Sequence, residues 1–297
     1  MTEYRTVQAG ASPFQFYPME RLVEANTGSP NAIRLSELDR LLLGIINRVL
    51  IITGLLAHRY LEAAGLQDVS LEDIRACLRR LADNGYLNRF RFQTPTGYSN
   101  LQVYTLGELG RRAVETRGRS LLRTGYVDNM DSLHAKRQLA ALQFVIAQGY
   151  VTEATHTSFG RLVRATYDPA GNRLFRPQAV VQLEEKTIFV EAVRNSGGAA
   201  EELVCKLNRI NDTLSGGTPL NLTGAETYEV VVVAESHSHM TRLMEELEDR
   251  LRGKLSFQLH FTNDQDTFCR NGKLYALPEK RYFGGKFTEK LAGLFGF

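Results

Sequence analysis

Between Ser36 and Leu106 the hydrophobic pattern changes its period from that of a helix to that of a strand, and this switch constrains the fold more than any other feature. Leu38, Leu41, Leu42, Ile45, Ile46 and Val49 recur at helical spacing behind Ser36. Asp39, three residues after Ser36, supplies a capping-box partner, although Asp is weaker there than Glu or Gln. A second helix fits Thr53–Ala64 and stops at Gly65, since glycine readily takes the left-handed backbone that ends helices. Ser70 opens a third helix, with Asp73 three residues on. Leu71, Ile74, Leu78 and Leu81 form its apolar stripe, and Asn84-Gly85 ends it. Tyr86–Gln93 then alternates as a strand, TPTGYSN at 94–100 reads as a turn, and Leu101–Leu106 returns as a second strand. Gly107–Thr116 predicts a fourth helix.

This order, with the LRRLADNGYL step and the YTLGELGRRAVE exit, resembles the winged helix-turn-helix superfamily over residues 35–117. Bacterial members usually carry Tyr-x-Leu-Thr-x-x-Gly at the exit; here Gly107 stands in place of the Thr. The resemblance implies a third helix that enters the major groove of duplex DNA and a hairpin wing that touches backbone or minor groove. With the apolar stripe turned inward, Arg75 and Arg79 lie one turn apart on the outer side and Arg80 flanks them. Arg89 and Arg91 alternate on the first wing strand, so both face the same way. The planar fork of Arg suits phosphate and the guanine edge. The competing reading is that Glu72, Asp73 and Asp83 engage these arginines as solvated helix pairs. Many such modules also serve only for dimerisation or protein docking.

Charge supports the first reading by its distribution. The net charge is only +3, but residues 1–127 carry 16 Arg, no Lys and 12 acids, whereas 128–297 carry 20 basic and 21 acidic residues. Arg111, Arg112, Arg117, Arg119 and Arg123 extend the basic run, though each alone reads slightly better as part of a solvated helix face or linker. A chain of 297 residues with 43% hydrophobic and 23% charged residues has ample core for two domains. Cys77, Cys205 and Cys269 are far apart and odd in number, which suits a reducing cytoplasm and neither a disulfide framework nor a structural zinc site. The start shows no signal peptide, and the apolar segment 41–57 is broken by Asn47 and Arg48, so it predicts two buried helices and no membrane span.

Residues 1–34 read as an arm or irregular cap and 118–131 as a connector. The second half, 132–297, opens with helix Ser132–Ala147. Strand-like runs follow at 150–156, 161–167, 173–183 and 186–194, with DPAGN at 168–172 as a hairpin turn. Ala199–Leu214 predicts a helix, Glu229–Ala234 a buried strand, His239–Leu251 a helix and Leu255–Phe261 a strand. The whole chain is therefore expected to be α+β, with a mixed α/β sheet after the helical module.

The run LFRPQAVVQLEEKTIFVEAVRN with EELVCKLNRIN, and the helix LHAKRQLAALQFVIA with His134, resemble the replication-relaxation family of bacterial plasmids and integrative elements. In that family a winged helix precedes a sheet related to the PD-(D/E)XK nuclease core. The resemblance places Gln178 at the first acid, Glu191 at the second, Val193 at the lysine of Glu-x-Lys, and Lys206 on the following helix. A magnesium-dependent nuclease needs two converging carboxylates and a lysine. Gln178 and Val193 are departures that imply a catalytically inactive, vestigial site, with Glu184 and Glu185 left as solvated hairpin residues. No metal or cofactor is expected: His237-Ser238-His239 has no helpful third ligand, FGGKF at 283–287 lacks the P-loop pattern, and Gly197-Gly198 reads as a loop. The apolar tail KLAGLFGF, 290–297, can pack on the body or on a second copy. The reading that results is a cytoplasmic double-stranded DNA-binding protein, expected as a homodimer from the habits of winged-helix proteins, in replication, transfer or transcriptional regulation of a mobile element, with replication or conjugation proteins as further partners. The alternatives are a metal-dependent nuclease and a protein-docking adaptor.

Overall fold

The computed structural model describes residues 12–25, 28–115, 130–163, 166–168, 170–217, 220, 225, 227–248, 250–251, 255–269 and 274–276. Most of the expected connector, Thr116 and the apolar tail lie outside them. The chain is mixed α+β, with a three-stranded antiparallel sheet and a six-stranded mixed sheet.

The first helix, α1 (Glu37–Val49), starts at a complete capping box. The Ser36 hydroxyl accepts from the Asp39 N–H, and the Asp39 carboxylate accepts from the Ser36 N–H. Thr53 caps α2 (Gly54–Ala63) and Ser70 caps α3 (Leu71–Asp83) by the same type of hydroxyl-to-amide bond. The apolar segment 41–57 is thus two helices, split where Leu50 takes a positive φ of 72° and Ile52 bridges to Tyr104. Among the described residues no helix is long and apolar enough to cross a membrane.

Strands β2 (Leu87–Thr94) and β3 (Gly97–Leu106) form the hairpin, followed by α4 (Glu108–Glu115). The turn is tighter than the sequence suggested: only Pro95 and Thr96 lie outside the strands, and the register shifts between Arg91 and Gln93 instead. That irregularity takes up Ser99, Asn100 and Leu101, of which the first two had read as turn. The arm is also more ordered than expected. Its strand β1 (Arg21–Ala25) pairs antiparallel along β2, so β2 is the central strand and not an edge. Nothing in the local pattern of RLVEA marks it as a strand, because its partner lies some seventy residues away.

The departure at Gly107 has a steric cause. A Cβ there would lie 2.6 Å from the Gly85 carbonyl oxygen, and one at Gly110 would lie 2.1 Å from that of Tyr86. The Asn-Gly-Tyr step that ends α3 and the Leu-Gly-Glu-Leu-Gly step that starts α4 therefore touch backbone to backbone, sealed by the Gly107 N–H donating to the Tyr86 carbonyl.

In the second half, α5 (Ser132–Ala147) has the expected bounds and begins at an Asp131 cap. The next run departs from expectation: 150–153 is a helical turn, α6 (Tyr150–Glu153), and only β4 (His156–Phe159) pairs. Residues 160–162 form a 3-10 turn, and within 161–167 and its partner the pairing is a single bridge, Tyr167 to Arg173. The Asp168 N–H still donates to the Asn172 carbonyl, so the expected DPAGN turn closes. Strand β5 is confined to Ala179–Gln182 and β6 to Lys186–Ala192. Then come α7 (Ala199–Ser215), β7 (Thr227–Ala234), α8 (His237–Glu248), β8 (Gln258–Asn263), a short α9 (Asp264–Phe268) and β9 (Tyr275–Ala276). The helix expected from His239 begins two residues earlier, and α9 and β9 were not anticipated.

The sheet runs β4-β5-β6-β7-β8-β9, with β6, β7 and β8 parallel and the outer pairs antiparallel. Parallel neighbours require crossover helices, which α7 and α8 provide. They pack on one face through Leu203, Leu207, Ile210, Met240 and Leu243. The other face meets α5, and that core continues without a break into the residues of α1, α2, α3 and the hairpin. The elements of the first half that lean most on the second are α1, α2 and β1.

The steric contact at Gly110 yields a sign reversal. Gly→Ala inside a helix normally stabilises by up to ~1 kcal/mol. In this protein Gly110→Ala forces a methyl into the Tyr86 carbonyl and the Leu43 side chain. It is expected to destabilise by about 2 kcal/mol, measured by urea denaturation.

Candidate nucleic-acid interface

Helix α3 packs on α1, α2 and β2, burying Ile74, Cys77, Leu78, Leu81 and Ala82. Its opposite side is open. Arg75 has 49% of its side chain exposed, with Glu72 3.9 Å away, at the limit of an ion pair. Arg79 is exposed, and its Nε donates to the Arg75 carbonyl one turn back. Both stand where the spacing put them.

Arg80 does not. Its guanidinium donates to both oxygens of Asp39, a carboxylate with no solvent exposure in α1. Asp39 also accepts from the Ser36 N–H and hydroxyl and from the Cys77 thiol, the last at 2.8 Å. Burial pushes this carboxyl up, but the bonds from Cys77, Ser36 and Arg80 together outweigh burial and hold it below the usual range. Burial, reinforced by Asp39, raises the Cys77 thiol to about 12. Arg80 is thus the clasp between α3 and α1, and the flanking role assigned to it from spacing is corrected accordingly.

Arg89 and Arg91 share one face of β2 as expected, opposite the buried Phe90 and Phe92. They are more enclosed than wing residues projecting to solvent. Arg89 retains 16% exposure and lies 4.0 Å from Asp83 at the end of α3, and Arg91 is half-buried. Their cross-strand neighbours are Tyr104 and Gln102, joined to each other by a 2.9 Å bond from the Tyr104 hydroxyl. Burial raises the Tyr104 phenol, while Arg89, Arg79 and Arg91 all act on it in the opposite sense. The charges of Arg79, Arg89 and Arg91 are thus all felt at one tyrosine, with Arg89 directly opposite it, and sequence reading did not single out that tyrosine. The sheet alternation that places Tyr104 opposite Arg89 was available only once the register was known.

The positions matched to a nuclease core also meet. Glu191 is buried, with Lys206 of α7 3.3 Å away, and burial raises its carboxyl above the ordinary value. Lys206 is shared with Glu202, whose carboxylate receives two bonds from Arg137 and is held at about 2 chiefly by them. His134, in the first turn of α5, is depressed by burial and then by Arg176, with Arg137 and Lys206 adding to the effect. Gln178 is turned inward: its Oε1 accepts the Ala192 N–H at 2.9 Å. Val193 is buried in the apolar cluster under α7 and α8. Among the described residues no three His, Cys, Asp or Glu side chains cluster to hold a metal ion. No family model matches this chain, and neither a curated protein nor a solved structure is significantly similar to it.

Two outcomes follow from the Asp39 clasp. Arg80→Ala leaves a buried carboxylate short of its cation and is expected to cost about 2 kcal/mol, less than a pair buried on both sides because Arg80 is half exposed. Arg79→Ala should change stability by under ~0.5 kcal/mol in the same denaturation series. The Asp39 contribution is present above about pH 4 and fades as pH falls through its lowered folded value. In thiol alkylation followed by mass spectrometry at neutral pH, exposed Cys205 and Cys269 should label while Cys77 stays unmodified until the chain unfolds.

Proposed function

We propose that the first half is a winged helix-turn-helix that binds duplex DNA, with α3 as the helix presented to the major groove and the β2–β3 hairpin as its wing. The observation that carries this reading is that α3 leans on its own module while Arg75 and Arg79 face outward beside the Arg89/Arg91 face of β2. Their acidic neighbours, Glu72 and Asp83, are exposed and stand at 3.9 and 4.0 Å. Such surface pairs contribute at most ~1 kcal/mol, so phosphate can displace them. An arginine-only first half adds the sequence-independent attraction on which DNA affinity largely rests.

The second half acts in this reading as a non-catalytic platform. Glu191 is bonded to a lysine, and the would-be partner acid is an amide spent on a backbone N–H. A hard divalent cation needs several oxygen ligands, commonly including more than one carboxylate. Membership of a replication, transfer or regulatory system of a mobile element rests on the resemblance of the Pro-Gln…Phe-Val-Glu and Lys206 segments to the replication-relaxation family.

The test is fluorescence anisotropy on duplex DNA over a range of salt. Arg75→Ala with Arg79→Ala should weaken binding on every duplex tried and lower the slope of log K against log salt by roughly two. Unchanged affinity in the double variant would remove α3 from the interface. Absence of binding by the wild type at low salt would end the DNA reading altogether.

A further inference from the structure

Strands β6, β7 and β8 are parallel and end together at Ala192, Ala234 and Asn263, and polar side chains gather at that edge. Arg194 and Asp264, both fully buried, pair with each other there, and the Ser12 hydroxyl donates to Asp264. Beside them opens a cavity of about 330 Å³, walled by Asn195, Glu235, Ser236, Ser238, His239 and Arg242, with Gln15 of the arm closing it.

Two of these side chains are all but buried and only half used. Glu235 and His239 are each 5% exposed. Oε1 of Glu235 accepts the backbone N–H groups of Phe16 and Asn195, and Nδ1 of His239 accepts the Glu235 N–H. Because Nδ1 accepts, the ring proton of the neutral imidazole sits on Nε2. Among the described residues neither Glu235 Oε2 nor His239 Nε2 has a hydrogen-bond partner. Both residues line the cavity and neither atom is sealed from solvent, so the wall offers one acceptor and one donor, on two largely enclosed side chains, to whatever enters.

The rest of the wall is rich in donors. Ser238 lies in the first turn of α8 and Ser236 just before it, its hydroxyl accepting the His239 N–H, and the N-terminal end of a helix carries partial positive charge. Arg242, one turn on, gives one N–H to Asn195 Oδ1 at 2.7 Å, stands 3.9 Å from Glu246 at the limit of an ion pair, and is half exposed. An oxyanion is favoured at that end. Glu235 repels a bare anion but accepts from a hydroxyl, and His239 Nε2 donates to one. The cavity is of the size that small ligands occupy, and the carboxyl ends of parallel strands are where sheets of this type bind them.

We propose that this cavity binds a small phosphorylated sugar or polyol. Its phosphate lies against the first turn of α8 and Arg242, and its hydroxyls bridge Glu235 and His239. The inference is independent of DNA binding, since every wall residue lies in the arm or the second half.

The experiment is calorimetric titration of the full chain with ribose 5-phosphate, glycerol 3-phosphate, ribose and inorganic phosphate. At least one sugar or polyol phosphate should bind saturably, and at least about tenfold more tightly than ribose or phosphate alone. Arg242→Ala and Ser238→Ala, both at exposed positions, should each lower that affinity by about tenfold while leaving the thermal midpoint unchanged. No saturable binding of either phosphorylated compound overturns the proposal. So does equal binding of inorganic phosphate, which would mark an adventitious ion only, and so does undiminished affinity in Arg242→Ala.

Discussion

Helix α5 is buried almost all the way round, and this one burial organises the molecule. Of its residues, those from Ala135 to Ile146 are all enclosed, including Lys136, Arg137, Gln138 and Gln143. A helix in that position cannot solvate its polar groups, so each must find a protein partner. Lys136 pairs with Glu20 and donates to the Gln15 carbonyl, which fixes the arm. Arg137 holds Glu202 of α7, Gln143 holds Thr267 and the Asp264 carbonyl at α9, and Gln138 reaches the Gln178 carbonyl before β5. Four polar side chains on one helix thereby pin four separate segments. The Lys136 ammonium also lies 4.8 Å from the ring of Phe92 in β2 and 5.2 Å from that of Tyr17. Burial lowers its pKa despite Glu20, as expected for a cation held in a largely apolar site.

The helices were legible because their information is local. Ser36 and Ser70 start helices where the capping and periodicity arguments put them, the helices expected at 53–64 and 132–147 start within a residue of those bounds, and Gly65 and Gly85 take positive φ at the ends of α2 and α3. The strands were located less well, and the errors share a cause. RLVEA becomes β1 only because β2 lies beside it, and GYSN joins β3 only because Gln93 and Thr94 pair with Tyr98 and Gly97. Conversely 161–167 has strand-like residues but lies beyond the end of β4, where a 3-10 turn leads away from the ladder. Pairing decides a strand, and pairing is not written in a local window.

The nuclease-like positions show a different limit. Glu191 and Lys206 were matched from short motifs, and they do stand 3.3 Å apart across β6 and α7. The fate of Gln178 could not be read from its type. An amide in place of a carboxylate could still face the site; here its oxygen is used to satisfy the Ala192 N–H at the end of β6, where the ladder with β5 stops. A carboxylate could also accept that N–H, but only as a buried charge. Glu191 and Glu202 already share Lys206 nearby, so the amide satisfies the backbone without adding a third negative group.

Arg79 and Arg80 make the same point at the proposed DNA surface. They are adjacent in sequence, identical in type and both exposed by area, yet a 100° step around the helix separates their roles. Among the described residues Arg79 bonds only to its own helix backbone, whereas Arg80 meets Asp39, forty-one residues away, which bonds to no other cation there. The free energy of removing each is set by what is left behind. Behind Arg79 remains hydrated surface, and behind Arg80 a carboxylate sealed under α1. Counting arginines on a helix face therefore overstates the charge available to a polyanion. The surplus is found by asking which carboxylates lack water, since these claim their cations first, and α3 then offers Arg75 and Arg79.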